Sequence, residues 1–463
     1  MKHKNGGNMS TSVIGNNYFG TERIGKILLR IAPPVMLAQL IQSLYNIVDS
    51  FFVGKYSDDA LTALTVVYPL QLIIVALAVG TGVGVNTYMA RKYAQEREKE
   101  ANGTAGAGLI LALVSWAIFA AVSALIMRPY VMTSAKSPQA IEDAVIYGNI
   151  VCIGSLGAFL EGIWSKVHQS RGNMRLPMIA QVAGALTNIA LDPLMIFGIG
   201  PFPEMGVAGA AYATVLGQVV SAVIAGVKGF RRPPAACDFP HYANRIYFYG
   251  YSSIIMQALY TVYIVGLNMI LAKFSDSAVT VLGLYYKMQG FFFIPLIGLE
   301  TCIVPVLSFN YTRKEYRRCR DTMNVSFAIS AVFMVIGIVC FCFFPRFLIS
   351  IFSSNAEVYE IGNVAFRIIG TGFIPAVFSL MIPVFFQAIG GGKTSTLLVL
   401  IRQIFCLVPI FWLFSFIGLN YTWLSFPISE SIAGSIGIVL YVRTLKKWKA
   451  EKDNVALLPA EKE

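Results

Sequence analysis

Twelve apolar stretches dominate this chain, near residues 26–54, 60–90, 104–128, 144–167, 178–200, 206–230, 246–272, 278–308, 322–345, 357–388, 396–418 and 421–445. Each is close to or above the roughly 20 residues that an α-helix needs to cross the hydrocarbon core of a bilayer. Composition agrees: 56% of residues are hydrophobic and 13% are charged, against roughly 25% charged in an average soluble domain. A membrane β-barrel would show short alternating segments instead. Within a bilayer the backbone must satisfy its own hydrogen bonds, so the expected fold is an all-α integral membrane protein.

The spans come in two sets of six. At a fixed offset of 218 residues, Gln39, Tyr45, Lys55, Ser57, Leu64, Gln71, Gly80 and Tyr93 meet Gln257, Tyr263, Lys273, Ser275, Leu282, Gln289, Gly298 and Tyr311. Further on, Gly154, Gln169 and Gly172 meet Gly372, Gln387 and Gly390. An even number of spans per copy makes the halves parallel, which predicts two six-helix lobes around a central cleft, the geometry of an alternating-access transporter. The polar stretch at mid-chain marks the boundary. The expected organisation is a tail at 1–23, an N-lobe at 24–230, a linker at 231–245, a C-lobe at 246–446 and a tail at 447–463.

Lysine and arginine fix the orientation. With an even number of spans, twenty-six cations fall on the side of both termini against five on the other, namely Lys55, Arg128, Lys136, Lys273 and Arg346. Both termini are therefore expected in the cytoplasm. The same asymmetry, with anionic lipid headgroups as partners, accounts for the net charge of +12 without any nucleic acid. The cysteines lie in spans or on the cationic side, with no metal-ligand spacing and no disulfide framework. Two decoys are set aside. Gly390-Gly-Gly-Lys-Thr394 lacks the first glycine of a phosphate loop, because position 387 is Gln387, and Gly80-x-Gly82 lacks the third glycine of a dinucleotide fingerprint. No Ser-His-Asp grouping appears, and an enzyme is not expected.

An ionisable side chain at bilayer depth costs about 3 kcal/mol on insertion scales, so each one is a functional hypothesis. The acids are Asp49, Glu161, Asp192, Glu300 and Glu430, and the cations at depth are Lys166, Lys287, Arg367 and Arg402. Each acid has a simpler reading, in which it pairs with one of these bases. Asp192 stands out because Asn188 lies one helical turn before it and Pro193 follows directly. A carboxylate beside a carboxamide offers hard oxygen ligands to Na⁺, and in a dry pocket it can instead carry a proton. Asp49 reads either as a partner of this site or as an exposed acid at a helix end. Glu161 and Glu300 are expected to line the cavity, and Glu430 to neutralise Arg402.

Together, Ile31-Ala-Pro-Pro34, Asn46-Ile-Val-Asp-Ser-Phe-Phe-Val-Gly54, Gly80-x-Gly-x-Gly84, Arg91 with Tyr93, Asn188-Ile-Ala-Leu-Asp-Pro193 and Gly206-Val-Ala-Gly-Ala-Ala211 resemble the multidrug and toxic compound extrusion (MATE) transporters. The resemblance runs from about 24 to 446 and is strongest to the DinF-like branch, near the MepA-type bacterial drug exporters. It implies a twelve-helix bacterial plasma-membrane antiporter that exports lipophilic organic cations against H⁺ or Na⁺. It needs no cofactor or structural metal, and a monomer is expected. On matching positions it implies a cation-coupling site of Asp49, Asn188, Asp192 and Thr214. Span seven has no acid, and span ten has none beyond Glu357 and Glu360 at one end, so a second ion site in the C-lobe is not expected. A lipophilic cation needs a carboxylate together with aromatic or methionine surface. Glu161, Trp164, Met256, Tyr260, Met288, Phe291 and Glu300 form the substrate-binding pool, extended by Tyr263, Phe292, Met381 and Phe385. The alternative is a lipid-linked oligosaccharide flippase of related plan, which would require Lys166, Lys287, Arg367 and Arg402 to converge on one opening.

Overall fold

The computed structural model describes residues 14–132, 137–351 and 355–456, and these fold entirely into helices and their connections. A short α1 (Ile14–Thr21) precedes six spans of the first half: α2 (Ile24–Tyr56), α3 (Asp58–Ala94), α4 (Glu98–Met132), α5 with α6 (Pro138–Gly154 and Leu156–Ser170), α7 (Arg175–Ile196) and α8 (Val207–Gly226). The second half follows as α9 (Phe239–Leu271), α10 with α11 (Asp276–Phe292 and Ile294–Thr312), α12 (Tyr316–Phe343), the short α13 (Pro345–Ser350), and α14 with α15 (Ala356–Gly370 and Phe373–Ala388). It ends with α16 (Gly392–Leu400), a π-helical turn (Ile401–Leu407), α17 (Val408–Ser415), α18 (Leu419–Thr422) and α19 (Ser425–Ala456). Among the described residues, eleven helices are long and apolar enough to span a membrane, and the bent pair α14–α15 brings the count to twelve. Large apolar side chains such as Leu125, Phe343 and Leu29 stand exposed on outer faces, as hydrocarbon contact requires.

Three expected boundaries move. Part of the N-terminal tail is ordered as α1, the connection between lobes narrows to 227–238, and α19 continues beyond 446. Residues 1–13 and 457–463 of the expected tails lie outside the described residues. Two span breaks lie just ahead of a proline, α10 to α11 before Pro295 and α14 to α15 four residues before Pro375, where the ring and the missing N–H interrupt the preceding turn. Pro33, Pro34, Pro69, Pro193, Pro305 and Pro383 sit within continuous helices, whereas α14 and α15 meet at 57° at Thr371–Gly372.

The repeated residues occupy equivalent structural positions. Ser57 caps α3 by accepting from the Asp59 amide at 3.2 Å, and Ser275 caps α10 by accepting from the Ala278 amide at 3.2 Å. Gly172 and Gly390 both turn with positive φ, +77° and +91°, a region costly for side chains with a Cβ. The contacts between lobes repeat as well. A Cβ at Gly80 would lie 2.2 Å from Ile254 Cγ1, and one at Gly298 would lie 2.7 Å from Met36 Cγ. Ile254 and Met36 are themselves 218 apart, so α3 meets α9 as α11 meets α2, through close approaches that only glycine permits.

Hydrogen bonds joining the lobes gather at the face that carries the cationic loops. Arg91 of α3 donates to the Ala388 carbonyl at 3.0 Å and stacks over Tyr249 and Tyr311. Arg313 donates to the Ala94 carbonyl at 3.1 Å and pairs with Glu96 at 3.3 Å. Helix α1 bridges both sides: Tyr18 donates to the Gly172 carbonyl, while Asn310 and Arg318 of the second half donate to the Phe19 carbonyl. This end of the interface is latched.

Candidate functional site

The site forms where α7 and α8 approach most closely. Gly184 and Gly217 oppose each other so tightly that a Cβ at Gly217 would lie 2.7 Å from the Gly184 carbonyl oxygen. One turn beyond that contact, Asn188 donates through Nδ2 to Thr214 Oγ1 at 3.4 Å and to Asp192 Oδ1 at 3.2 Å. Helix α2 packs on α7 and brings Asp49 within electrostatic reach of Asp192. All four residues are buried, Asp192 completely. The structure therefore brings Asp49, Asn188, Asp192 and Thr214 together.

Among the described residues, three oxygens in this cluster have no hydrogen-bond partner: Asp49 Oδ1, Asn188 Oδ1 and Asp192 Oδ2. A buried acceptor without a donor costs about 1 to 3 kcal/mol, more when charged, and a buried carboxylate is tolerated only if paired or neutralised. Two carboxylates side by side compound that cost. What the pocket lacks is positive charge, which a proton on one acid or a small cation among the oxygens would supply. Tyr45 and Tyr147 complete its wall. Tyr45 lies one turn before Asp49, and both tyrosines feel the Asp49 carboxylate. Gln71 donates to the Tyr147 hydroxyl at 3.2 Å. Tyr45 was legible from its spacing to Asp49, whereas nothing in the local sequence marks Tyr147.

The remaining acids are placed differently. Glu161 Oε1 accepts from Ser165 at 2.5 Å and from Gln181 at 3.3 Å, within the N-lobe. Lys166 beside it donates to Gln169 and packs on Gly82. Glu300 keeps one buried oxygen unpartnered, within reach of the Arg402 charge. Arg402 Nη1 binds Glu430 Oε1 at 3.1 Å, and Ser379 also hydrogen-bonds Glu430. Among the described residues no group of three or more His, Cys, Asp or Glu could hold a metal.

The substrate-binding pool divides. Trp164 packs inside the N-lobe against α8 at Gly226 and Gly229. Met288, Met381 and Phe385 are buried in the C-lobe core. Tyr260 joins Tyr263 and Tyr286 in an edge-to-face cluster, with ring centroids 5.5 and 6.2 Å away. Met256 accepts from Ser395 of the same lobe. Phe291 is half exposed and lies against Phe292.

Two parallel six-helix lobes, latched at one end and carrying an uncompensated acidic site, define a membrane transporter of the two-lobed kind. A family model described as MatE matches residues 34–194 and 252–413, and the chain belongs to that family, whose members are transporters and not enzymes. The two matches begin 218 residues apart, and the second is one residue longer, the length that a π-helical turn adds to a span. Among its relatives, the chain is 24% identical over 438 residues to the FAD transporter of Shewanella oneidensis, covering 92% of this chain and 96% of that one. It is 22% identical to the multidrug export protein MepA of Staphylococcus saprophyticus, covering 91% and 94%. A solved multidrug resistance MATE family transporter of the MOP superfamily, in an outward-facing conformation, superposes with a TM-score of 0.87 at 22% identity, covering 94% of this chain and 99% of the other.

Proposed function

We propose that this chain is a secondary active multidrug exporter of a bacterial plasma membrane, working by alternating access and exchanging lipophilic organic cations for H⁺ or Na⁺. The observation that carries the reading is the group of three unpartnered oxygens on Asp49, Asn188 and Asp192. A bound ion shifts a conformational equilibrium only by its differential affinity for the two states. Coupling arises because ion or proton uptake removes the repulsion between Asp49 and Asp192 and lets α2, α7 and α8 repack. The cation-rich, latched face lies in the cytoplasm with both termini, so the cleft opens to the outside. Glu300, whose buried Oε1 is left without a partner outside the Asp49–Asp192 group, serves the drug rather than the ion.

The test is drug export from vesicles under a pH gradient and a Na⁺ gradient applied separately, with Asp192→Asn beside the parent chain. Near-normal driven export by the variant would sink the coupling assignment, and the gradient that drives the parent names the ion.

A second reading follows from Lys166, an ammonium beside Gly82 that also feels Cys302 of the other lobe. A cation there suits an anionic cargo, such as the dinucleotide named for the Shewanella relative. Flavin uptake that falls in Lys166→Gln, with drug export intact, would favour it. The flippase alternative is disfavoured, because Arg402 is buried and already neutralised by Glu430 while Arg367 is exposed on α14, so the four cations do not share one setting.

A further inference from the structure

On the face opposite the latch, the N-lobe contains a cavity of about 370 Å³ that is not part of the cleft between lobes. Its walls come from three helices: Tyr56 and Ser57 end α2, Gln139, Asp143 and Ile146 line α5, and Gly206, Val207 and Ala208 open α8. Those helices also reach the acidic site. Asp49 lies seven residues from Tyr56, and Thr214 seven from Val207, so each pair shares a helix face about 10 Å apart. On α5, Tyr147 lies one turn below Asp143, and its side chain meets Gln71, Thr214 and the Asp49 charge. Along these helices from the mouth toward the site, Val53, Ala144, Ala210 and Ala211 are buried in one apolar cluster. Three of these four are alanines, the thinnest apolar seal that side chains can make.

The mouth is acidic. Asp143 lines it, Glu204 lies beside the Tyr56 hydroxyl, and Asp59 and Glu142 lie close enough to act on Asp143. Helix N-termini at α5 and α8 contribute about half a positive charge each, which four carboxylates outweigh. At the inner end, Asp49 is more than nine-tenths buried with an oxygen left unpartnered.

We infer that this cavity is an outer vestibule that collects a hydrated monovalent cation, Na⁺ or hydronium, and passes it to Asp49 and Asp192 through the N-lobe, along a route separate from the drug cleft. The inference rests on the coupling role proposed above. A separate route lets the ion arrive while the cleft still holds drug, so exchange does not require the two to pass each other.

The test uses the full chain in liposomes with Ala208→Cys at the mouth, in a Cys237→Ser background, because Cys237 is the exposed native thiol among the described residues. A membrane-impermeant, positively charged thiosulfonate is added from outside, and the readout is the external ion concentration giving half-maximal drug transport, under pH and Na⁺ gradients in turn. Complete labelling is expected to raise that concentration about tenfold, and Asp143→Asn alone about threefold, as removal of one charge about 10 Å away implies. Equilibrium drug binding should not change. An unchanged half-saturating concentration after complete labelling, with Asp192→Asn still inactive, would overturn the vestibule and leave the coupling site standing. Driven export by Asp192→Asn would overturn both.

Discussion

The N-lobe and C-lobe share a scaffold and treat buried charge in opposite ways. In the N-lobe, Asp49 and Asp192 lie together with no cation beside them among the described residues. In the C-lobe, Glu430 is held by the Arg402 guanidinium and by Ser379. Under the repeat, Asp49 falls opposite Leu267, while Asp192 falls opposite Ile410, or Phe411 if the extra residue of the π-helical turn is counted. Arg402 lies in that turn, where the helix departs from its N-lobe counterpart. One copy therefore sets a positive charge beside its buried acid, and the other leaves two acids together with unpartnered oxygens. The duplicated helices match, while the buried charges they carry do not.

This contrast can be broken most forcefully at Arg402. Arg402→Leu should destabilise the protein by about 3 to 5 kcal/mol, because Glu430 is left buried without its partner, while Arg402→Leu with Glu430→Leu should be nearly neutral. Thermal unfolding in detergent reads both, and equal losses in the single and double variants would show that the pair is not a closed unit. Asp192→Asn should do the reverse. It removes a buried charge, so folding is spared, but driven export should fall by about a hundredfold, near the upper end of typical coupling energies. If the C-lobe variants lost ion drive and the N-lobe variant lost stability, the division of labour would be inverted.

Much of this division is written in residue types. The spans follow from length and hydropathy, and the repeat from Ser57 with Ser275 and Gly80 with Gly298, which turn out to be caps and close approaches. Asn188 and Asp192 were legible because helical spacing fixes their common face. Cavity lining was not: hydropathy marks Trp164 as a membrane aromatic without distinguishing the cleft from the α8 surface on which it packs. Nor does depth along a span reveal burial. Lys287 and Arg367 read as intramembrane cations, yet both are exposed. Tyr147 and the vestibule above it depend on three helices meeting, which no local pattern encodes.

Smaller changes sharpen the comparison further. Thr214→Val keeps the shape of the acidic site and removes one polar partner of Asn188, at a cost of about 1 kcal/mol. The expected result is an approximately fivefold rise in the half-saturating driving ion with an unchanged maximal rate. A fall in maximal rate at constant ion affinity would place Thr214 in the conformational step instead.

The smallest effect tests the symmetry itself. Ser57 and Ser275 cap equivalent helices through bonds of equal length, so Ser57→Ala and Ser275→Ala should each cost about 0.5 kcal/mol, the low end for a lost N-cap. The double variant should lose the sum, because sites in different lobes with no shared partner add. Equal, additive losses in thermal unfolding would mean that the repeated framework is energetically as well as geometrically two-fold, which leaves the charged residues as the source of the lobes' different behaviour. A markedly larger loss in the C-lobe would mean instead that the copies have also diverged in framework stability, so that the unequal handling of charge rests on unequal scaffolds.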